Sequence, residues 1–499
     1  MARENGYRNG LADVVGSGLE RVEDLARMML YALMNKIVFY KVLEKHYKLP
    51  ALPECKSPAQ YLNDLKKLFM DAITATNDFE AVFATGLYDE IRLPDDPAIC
   101  SIFNDFNRLL SETDVLQIGD VIGYIYERLI PAEERHKFGQ FYTPPAVARF
   151  IARWAIRGPS DKVLDPGTGS GAFLIEAYAR LYHLKTGRDL QTSSPSAEVH
   201  SAILSQLYGI DINSFPLQLT AVNLSMRNVR APSTQLRLIH RDFFTVMPNQ
   251  QVLLPYRLVT AGKVVSKSEV VPGDFDAVVG NPPYTRWLEI PRDTQNVILS
   301  LLKEELKRYD LRPNTRHGSE PGIYVYWIMH ATRFLKDGSR LGMIISNMWL
   351  QTDYGVEFGK FLLDNYRIRA LIDISYRLFT ALISTVIILA EKDTGRDKGS
   401  NEVLLVRVPP IDGKLSDRDV ENKVSEILDC IGNAIHEGSY EFNKERLDKC
   451  RELGVWYRFV RQSEIPRDKK WISLFFGGEE VVNGLEALAN EGKLVIRTG

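Results

Sequence analysis

Apolar residues recur at helical spacing through the first part of the chain. Leu25, Met28, Met29, Ala32, Leu33, Ile37, Val38 and Val42 form one such stripe, and Ile118, Val121, Ile122, Ile125 and Leu129 another. Pro50, Pro53, Pro58, Pro94 and Pro97 punctuate the segment, which predicts several helices rather than one. From Lys162 onward the pattern changes. Short apolar runs that end in small or acidic residues predict strands over 163–164, 207–212, 236–240, 277–280, 341–346, 368–374 and 385–389. Amphipathic stretches predict helices between them over 171–185, 215–227, 323–335 and 356–365. Strands alternating with helices predict an α/β fold with a mostly parallel sheet covered on both faces. Such sheets bind ligands at the carboxyl ends of their strands.

Two stretches break the alternation. Residues 285–321 form a long charged insertion carrying Arg286, Arg292, Lys303, Lys307, Arg308, Arg312 and Arg316, and loops of that length are commonly functional. After Asp393 the alternation is lost. One strand is predicted over 403–408 and one helix over 420–435, and 493–499 read as a cut rather than a finished end.

Composition changes this picture little. Hydrophobic residues at 45% and charged residues at 25% exclude disordered and collagen-like classes. Lys plus Arg at 62 against Asp plus Glu at 64 gives a net charge of −2, so the chain is no basic nucleic-acid coat; a local basic patch stays compatible with nucleic acid. Cys55, Cys100, Cys430 and Cys450 are far apart and form no C-x-x-C pair. The expectation is therefore no disulfide scaffold, no structural zinc and a reducing, cytoplasmic setting. The polar N-terminus lacks the core of a signal peptide, and the longest apolar runs, such as 381–390, are too short to span a bilayer.

The chemistry gathers at the predicted strand ends. In Val163-Leu-Asp-Pro-Gly-Thr-Gly-Ser-Gly-Ala172 a strand ends at Asp165, a glycine turn follows through Gly167 and Gly169, and a helix opens near Gly171. Glycines let a ligand approach the backbone, and the helix N-terminus offers N–H groups. Gly167-x-Gly169-x-x-Ala172 also satisfies the relaxed dinucleotide fingerprint, so the turn alone leaves the ligand open. Asp211, in Tyr208-Gly-Ile-Asp-Ile-Asn213, is placed to accept both hydroxyls of a ribose. Asp242, in Arg241-Asp-Phe-Phe244, is placed to accept an exocyclic amine, with Phe243 against the base. The bland alternatives are a helix N-terminal acid at Asp211 and a core aromatic at Phe243.

Asp276-Ala-Val-Val-Gly-Asn-Pro-Pro-Tyr284 narrows the choice. A buried strand runs into Asn281, and Pro282 and Pro283 then fix the backbone and force the chain out of the sheet. The loop supplies acceptors, the Asn281 side-chain oxygen and the Pro282 carbonyl, which suit the two N–H bonds of a planar amine. Tyr284 adds a flat face for an aromatic base.

In order and spelling, these motifs resemble those of adenine-N6 DNA methyltransferases of the restriction–modification type in which the cofactor half comes first. Asp120-Val-Ile-Gly-Tyr-Ile-Tyr-Glu-Arg-Leu129 and Lys137-Phe-Gly-Gln-Phe-Tyr-Thr-Pro-Pro145 look like the lead-in of type I modification subunits and of the methylase part of fused type II enzymes. The resemblance runs over roughly 110–390 and is most specific at 138–145, 165–172 and 281–284. It implies a Rossmann-like S-adenosylmethionine-dependent methyltransferase fold behind a helical N-terminal domain. The divisions are 1–135 helical, 136–393 methyltransferase, and 394–499 a connector with room for the start of a target-recognition domain.

By the same resemblance Tyr142, Thr143 and Pro144 border the methionine part of S-adenosylmethionine. Asp165, Gly167 and Gly169 take its amino-acid end, Asp211 the ribose, and Asp242 and Phe243 the adenine. Asn281, Pro282, Pro283 and Tyr284 take a flipped-out target adenine, and no metal is called for. The implied partners are double-stranded DNA and a separate specificity or restriction subunit, with no membrane. The basic insertion is the candidate for holding the DNA backbone. The alternative reading is methyl transfer to an RNA base or a protein glutamine amide, families that also combine a glycine turn with Asn-Pro-Pro-Tyr. A nicotinamide dehydrogenase would leave that loop unexplained. Glu54-Cys-Lys56 spells a nuclease triplet, but it follows Pro53 with no acidic strand before it, so cleavage is not expected.

Overall fold

The computed structural model describes residues 22–83, 90–112, 143–231, 235–260, 263–311, 313, 320–374, 384–395, 398–409, 417–435 and 442–475. The second helical stripe at 118–129, Tyr142, Arg312, Arg316 and the last residues lie outside them. The chain divides into two compact units: residues 1–283 with 330–339, and residues 284–329 with 340–499.

The first unit opens with helices α1 (Val22–His46), α2 (Pro58–Thr76), α3 (Glu80–Phe83) and α4 (Pro97–Glu112). Proline starts α2 at a position where its missing N–H is no loss. Ala32, Ile37, Val38 and Val42 of the predicted stripe are buried to within 1%, so the helical reading of this segment holds. Helix α5 (Pro145–Ala155) follows, again opened by proline after Pro144 in an extended conformation. The strands β1 (Val163–Asp165), β2 (Leu207–Asp211), β3 (Arg237–His240) and β6 (Phe275–Gly280) run parallel in the order β6-β1-β2-β3. β1, β2 and β6 are fully or almost fully buried, as continuous apolar runs in a parallel sheet must be, and β3 is buried at its two central residues.

Helices α6 (Ala172–Thr186), α7 (Ala197–Leu204) and α8 (Ser214–Ser225) connect the strands. Helix α8 is buried at Phe215 through Ser225 on every face. The lead-in is tied to it and to the residues after it by hydrogen bonds: Gln218 Nε2 donates to the Val82 carbonyl at 2.8 Å, and the Tyr47 hydroxyl donates to the Val229 carbonyl at 2.8 Å. An antiparallel hairpin, β4 (Gln251–Thr260) with β5 (Lys263–Val270), intervenes before β6. It was not predicted, because its polar, lysine-rich second strand carries no sustained apolar run.

The second unit contains α9 (Arg292–Leu301) and α10 (Lys303–Arg308), so the charged insertion is partly helical rather than one long loop. Its base is closed by an antiparallel bridge between Arg286 and Gly322 and by the Ile323 N–H donating to the Thr285 carbonyl at 3.0 Å. Helix α11 (Ile323–Ala331) and strand β7 (Leu335–Ser346) each pass from one unit into the other along the chain. Helix α12 (Asp353–Asn365) precedes β8 (Tyr366–Ile374), and β9 (Thr385–Lys392), β10 (Glu402–Val408) and β11 (Trp456–Arg461) follow. Their order is β11-β10-β8-β9-β7, with β8 and β10 parallel and β9 and β11 running the other way. Residues after Asp393 thus contribute two strands to this sheet, with α13 (Asp417–Ile435) and α14 (Lys444–Cys450) between them. Buried Gln462 ties them in: its side chain accepts from the Ile368 N–H at 3.1 Å and donates to the Tyr366 carbonyl at 2.9 Å.

The cysteine expectation fails. Cys55 is disulfide-bonded to Cys100 and Cys430 to Cys450. The pairs are 45 and 20 residues apart in sequence, but the fold brings their Cα atoms to 4.9 and 5.9 Å. Spacing along a chain does not reveal such proximity. Among the described residues no helix is long and apolar enough to cross a membrane, and no cluster of three or more His, Cys, Asp or Glu could hold a metal.

Candidate active site

The first strand delivers Asp165 into a fully buried position at the head of the glycine turn. Its Oδ1 accepts the Gly167 N–H at 3.2 Å. Its Oδ2 is buried and has no hydrogen-bond partner among the described residues. Burial pushes this carboxyl up to about 8, against the pull of the Gly167 N–H, and the neighbouring Asp211 charge pushes the same way. A buried, protonated carboxyl with an orphaned oxygen is the kind of group that a bound cation satisfies.

The turn itself is held from three sides. Thr168 donates its backbone N–H to the Ile210 carbonyl at 3.0 Å and its hydroxyl to the Asp165 carbonyl at 2.9 Å. Gly209 in β2 makes room for that hydroxyl, since a Cβ there would lie 2.6 Å from it. Gly169 and Gly171 both have positive φ, at 52° and 91°. A Cβ on Gly169 would meet nothing within 4 Å, so open space lies beside it, as a ligand-approach role requires. Two residues of α8 complete the support: the Thr220 hydroxyl donates to the Gly169 carbonyl at 3.0 Å and Asn223 Nδ2 to the Ser170 carbonyl at 3.2 Å. Sequence reasoning missed both. The signal was there, in polar residues on a helix that is buried on every face.

Asp211 ends β2 and locks the turn in place: Oδ2 accepts the Gly169 N–H at 2.9 Å and Oδ1 the Asn213 N–H at 2.8 Å. Burial raises its carboxyl to about 6, opposed by N–H donors from Asn213, Gly169 and Ile212. Asp242, after β3, caps a 3-10 turn over Phe243–Thr245 by accepting the Phe244 N–H at 3.0 Å. The Phe243 ring is 2% exposed and packs on His330 and Phe334, with ring centroids 4.5 and 5.5 Å away. Phe243 therefore backs this turn and presents almost no open face.

At the carboxyl end of β6, Asn281 Nδ2 donates to the buried Thr143 hydroxyl at 3.1 Å. This contact fixes the side-chain amide at the strand end. Pro282 is buried and Pro283 half-buried, which fixes the loop. Pro144 stands buried at the start of α5, beside Thr143. The unit thus brings together Thr143, Pro144, Asp165, Gly167, Gly169, Asp211, Asp242, Phe243, Asn281, Pro282 and Pro283; Tyr142 lies outside the described residues.

Tyr284 begins the second unit. Its hydroxyl donates to the Ile344 carbonyl at 3.5 Å, and its ring meets Tyr324 edge-on at 6.4 Å between centroids. The Tyr324 and Tyr354 hydroxyls are 2.8 Å apart. Burial pushes all three phenols above their ordinary range, so they stay neutral near pH 7 and act as hydrogen-bonding and packing groups.

The parallel sheet and the loops at its strand ends define the fold of S-adenosylmethionine-dependent methyltransferases. Comparison with known proteins narrows this to a family. The chain belongs to the N-6 DNA methylase family, whose profile matches residues 117–446. It is similar to the type II methyltransferase M.BstVI of Geobacillus stearothermophilus, 28% identical over 214 residues covering 43% of this chain and 33% of that protein. It is also similar to the type II restriction enzyme and methyltransferase RM.Eco57I of Escherichia coli, 24% identical over 416 residues covering 72% and 39%. A chain from a structure of a type I R-M system has the same fold, with a TM-score of 0.53 at 16% identity over 95% of this chain and 92% of that one. The chain spans about a third to two-fifths of the length of these two curated relatives.

Proposed function

We propose that this chain is a DNA adenine-N6 methyltransferase of a restriction–modification or related defence system, with S-adenosylmethionine as its methyl donor. The observation that carries the reading is the orientation of Asn281. Thr143 takes the amide N–H and so holds the side chain on a loop stiffened by two prolines; in this reading the Asn281 oxygen and the Pro282 carbonyl serve as an acceptor pair. Such a pair holds both N–H bonds of a planar amine and leaves the nitrogen lone pair directed at an electrophile. The cofactor fits the residues present: Asp165 offers an orphaned buried carboxyl oxygen for its ammonium, and Gly169 leaves the space that close approach needs.

In this reading Tyr142, Thr143 and Pro144 border the methionine part, and Asp165, Gly167 and Gly169 hold its amino-acid end. Asp211 takes the ribose and Asp242 the adenine amine, with Phe243 behind it. When bound, S-adenosylmethionine supplies an electrophilic methyl on its sulfonium. Asn281 and Pro282 position the target amine, Pro283 stiffens the loop, and Tyr284 stacks on the base. Positioning and fixed acceptors account for the catalysis. The target is a flipped adenine, since N6 is inaccessible inside the duplex.

The exposed cations of the insertion, Arg292, Lys303 and Lys307, would meet phosphates. Residues 1–135 serve as the helical part, 136–393 as the transfer part, and 394–499 as the connection to target recognition. A separate specificity or restriction subunit belongs to the same proposal, as does a cytoplasmic setting, which rests on the family and not on the cysteines.

The test is transfer of labelled methyl from S-adenosylmethionine to mixed unmethylated DNA, read as N6-methyladenine after digestion to nucleosides. The expected result is label in adenine from the wild type and none from Asn281→Ala, with cofactor affinity kept. Label in RNA or in protein glutamine, with none in DNA, would reject the DNA reading. Loss of cofactor binding in Asn281→Ala would show the two halves of the site to be misassigned.

A further inference from the structure

We propose that His330 is a positioning residue that sets the selectivity of the site for an adenine-bearing cofactor; the inference rests on the cofactor reading above. His330 is near the C-terminal end of α11 and is fully buried. Its Nε2 lies 3.2 Å from the Phe243 carbonyl oxygen and 3.0 Å from that of Val246. Two carbonyls facing one ring nitrogen require that nitrogen to carry the proton, so the geometry fixes the Nε2–H tautomer and a forked donor. The ring also packs within 4.5 Å of Phe243, 5.9 Å of Phe244 and 5.2 Å of Phe334, measured between centroids.

These contacts grip the turn that carries Asp242. The Val246 N–H already closes that turn by donating to the Phe243 carbonyl at 3.0 Å, and the Thr245 hydroxyl donates to the Asp242 carbonyl at 2.7 Å. Asp242 Oδ1 is bound to the turn's own Phe244 N–H, so the carboxylate cannot shift unless the turn shifts. His330 holds the turn at the carbonyls of Phe243 and Val246, and Asp242 caps the same turn at its start. The chain of contacts therefore runs from the imidazole, through two backbone carbonyls, to the acceptor that reads the adenine amino group. Removing the N–H takes the imidazole donor from the Val246 carbonyl and leaves the Phe243 carbonyl with the Val246 N–H alone, inside a buried aromatic cluster. The turn relaxes, and the position of Asp242 is the first property lost.

Selectivity separates this role from simple packing. S-adenosylhomocysteine presents a 6-amino group that donates to Asp242, whereas its 6-oxo counterpart, S-inosylhomocysteine, presents an acceptor. A site built to hydrogen-bond one group discriminates strongly against its replacement. The experiment measures binding of both compounds by calorimetry to the full chain, as wild type, His330→Phe and His330→Gln. Phe keeps a ring without the donor, and Gln places an amide N–H near the position of Nε2.

His330→Phe is expected to weaken S-adenosylhomocysteine about tenfold, the size of one lost buried hydrogen bond, while 6-oxo binding barely changes. His330→Gln is expected to recover most of the difference. Equal weakening of both compounds, unchanged binding of both, or a Gln variant as impaired as Phe would each overturn the proposal. If His330→Phe does not fold, His330→Asn replaces it, since its shorter amide ends short of the carbonyls, and the same outcomes apply. A wild-type chain that binds neither compound would remove the cofactor reading itself. Wild-type binding with no loss of selectivity in the variants would remove only the role of His330.

Discussion

Asp165→Asn in the cofactor-free protein tests whether the first-strand carboxyl is held in reserve for a cation. The wild-type group is fully buried and raised from 3.8 to about 8. Below about pH 4 the folded and unfolded chains both carry the proton, and the position contributes no pH-dependent term. As pH rises from about 4 to about 8 the unfolded chain gives up that proton and the folded chain keeps it, so stability falls by about 1.4 kcal/mol per pH unit. By pH 7 the loss is the distance from 3.8 to 7, about 4 kcal/mol, and above about pH 8 it levels off. Asparagine has no proton to lose.

The assay is urea unfolding of both proteins without cofactor from about pH 4 to about pH 9. The difference in unfolding free energy should open in favour of Asp165→Asn at about 1.4 kcal/mol per unit and then become constant. Two stability curves that run parallel across this range would refute the reasoning, because they would mean the carboxyl ionises in the folded protein as it does in the unfolded chain. Cofactor should reverse the ranking. An ammonium beside Asp165 favours the charged carboxylate, so S-adenosylhomocysteine should stabilise the wild type strongly and the variant weakly. Its binding to the wild type below about pH 8 should release a proton, readable by calorimetry in buffers of different ionisation heat.

Two further outcomes are expected. Asp211→Ala removes the acceptor for the Gly169 and Asn213 N–H groups, so cofactor affinity by calorimetry should fall by about tenfold or more; unchanged affinity would take Asp211 out of the ribose role. Thr143→Val keeps the shape beside Asn281 but deletes the hydroxyl that accepts its amide N–H. It should lower kcat for methyl transfer by about tenfold, the worth of one orienting hydrogen bond, and kcat equal to wild type in single-turnover measurements would show that the Asn281 orientation does not depend on it.

What could be read from the sequence was whatever one stretch of chain encodes by itself. Val163 to Asp165, Leu207 to Asp211 and Phe275 to Gly280 were legible as strands because continuous apolar runs bounded by glycine, proline and acids allow few other arrangements. The strand-end motifs were legible for the same reason: each is a local turn with its own chemistry. The β4–β5 hairpin was not, since its second strand lacks the apolar pattern of a core element. The disulfides were not, since a pair such as Cys55 and Cys100 is made by the packing of a loop on a helix.

The supporting residues of the site fall between these cases. Thr220, Asn223, His330 and the hydroxyl of Thr143 each hold a backbone or side chain 51, 53, 87 and 138 residues away. Thr220, Asn223 and His330 looked like ordinary members of their helices, and Thr143 was singled out for the cofactor and not for its hold on Asn281. Their common feature is a polar group buried against a turn that carries a functional side chain, and a polar group is kept in such a place when it is hydrogen-bonded. A buried polar residue on a helix packed on every side is therefore a signal worth following to its backbone partner. In this chain Thr220 and Asn223 lead to the glycine turn in that way, and His330 leads to the turn of Asp242.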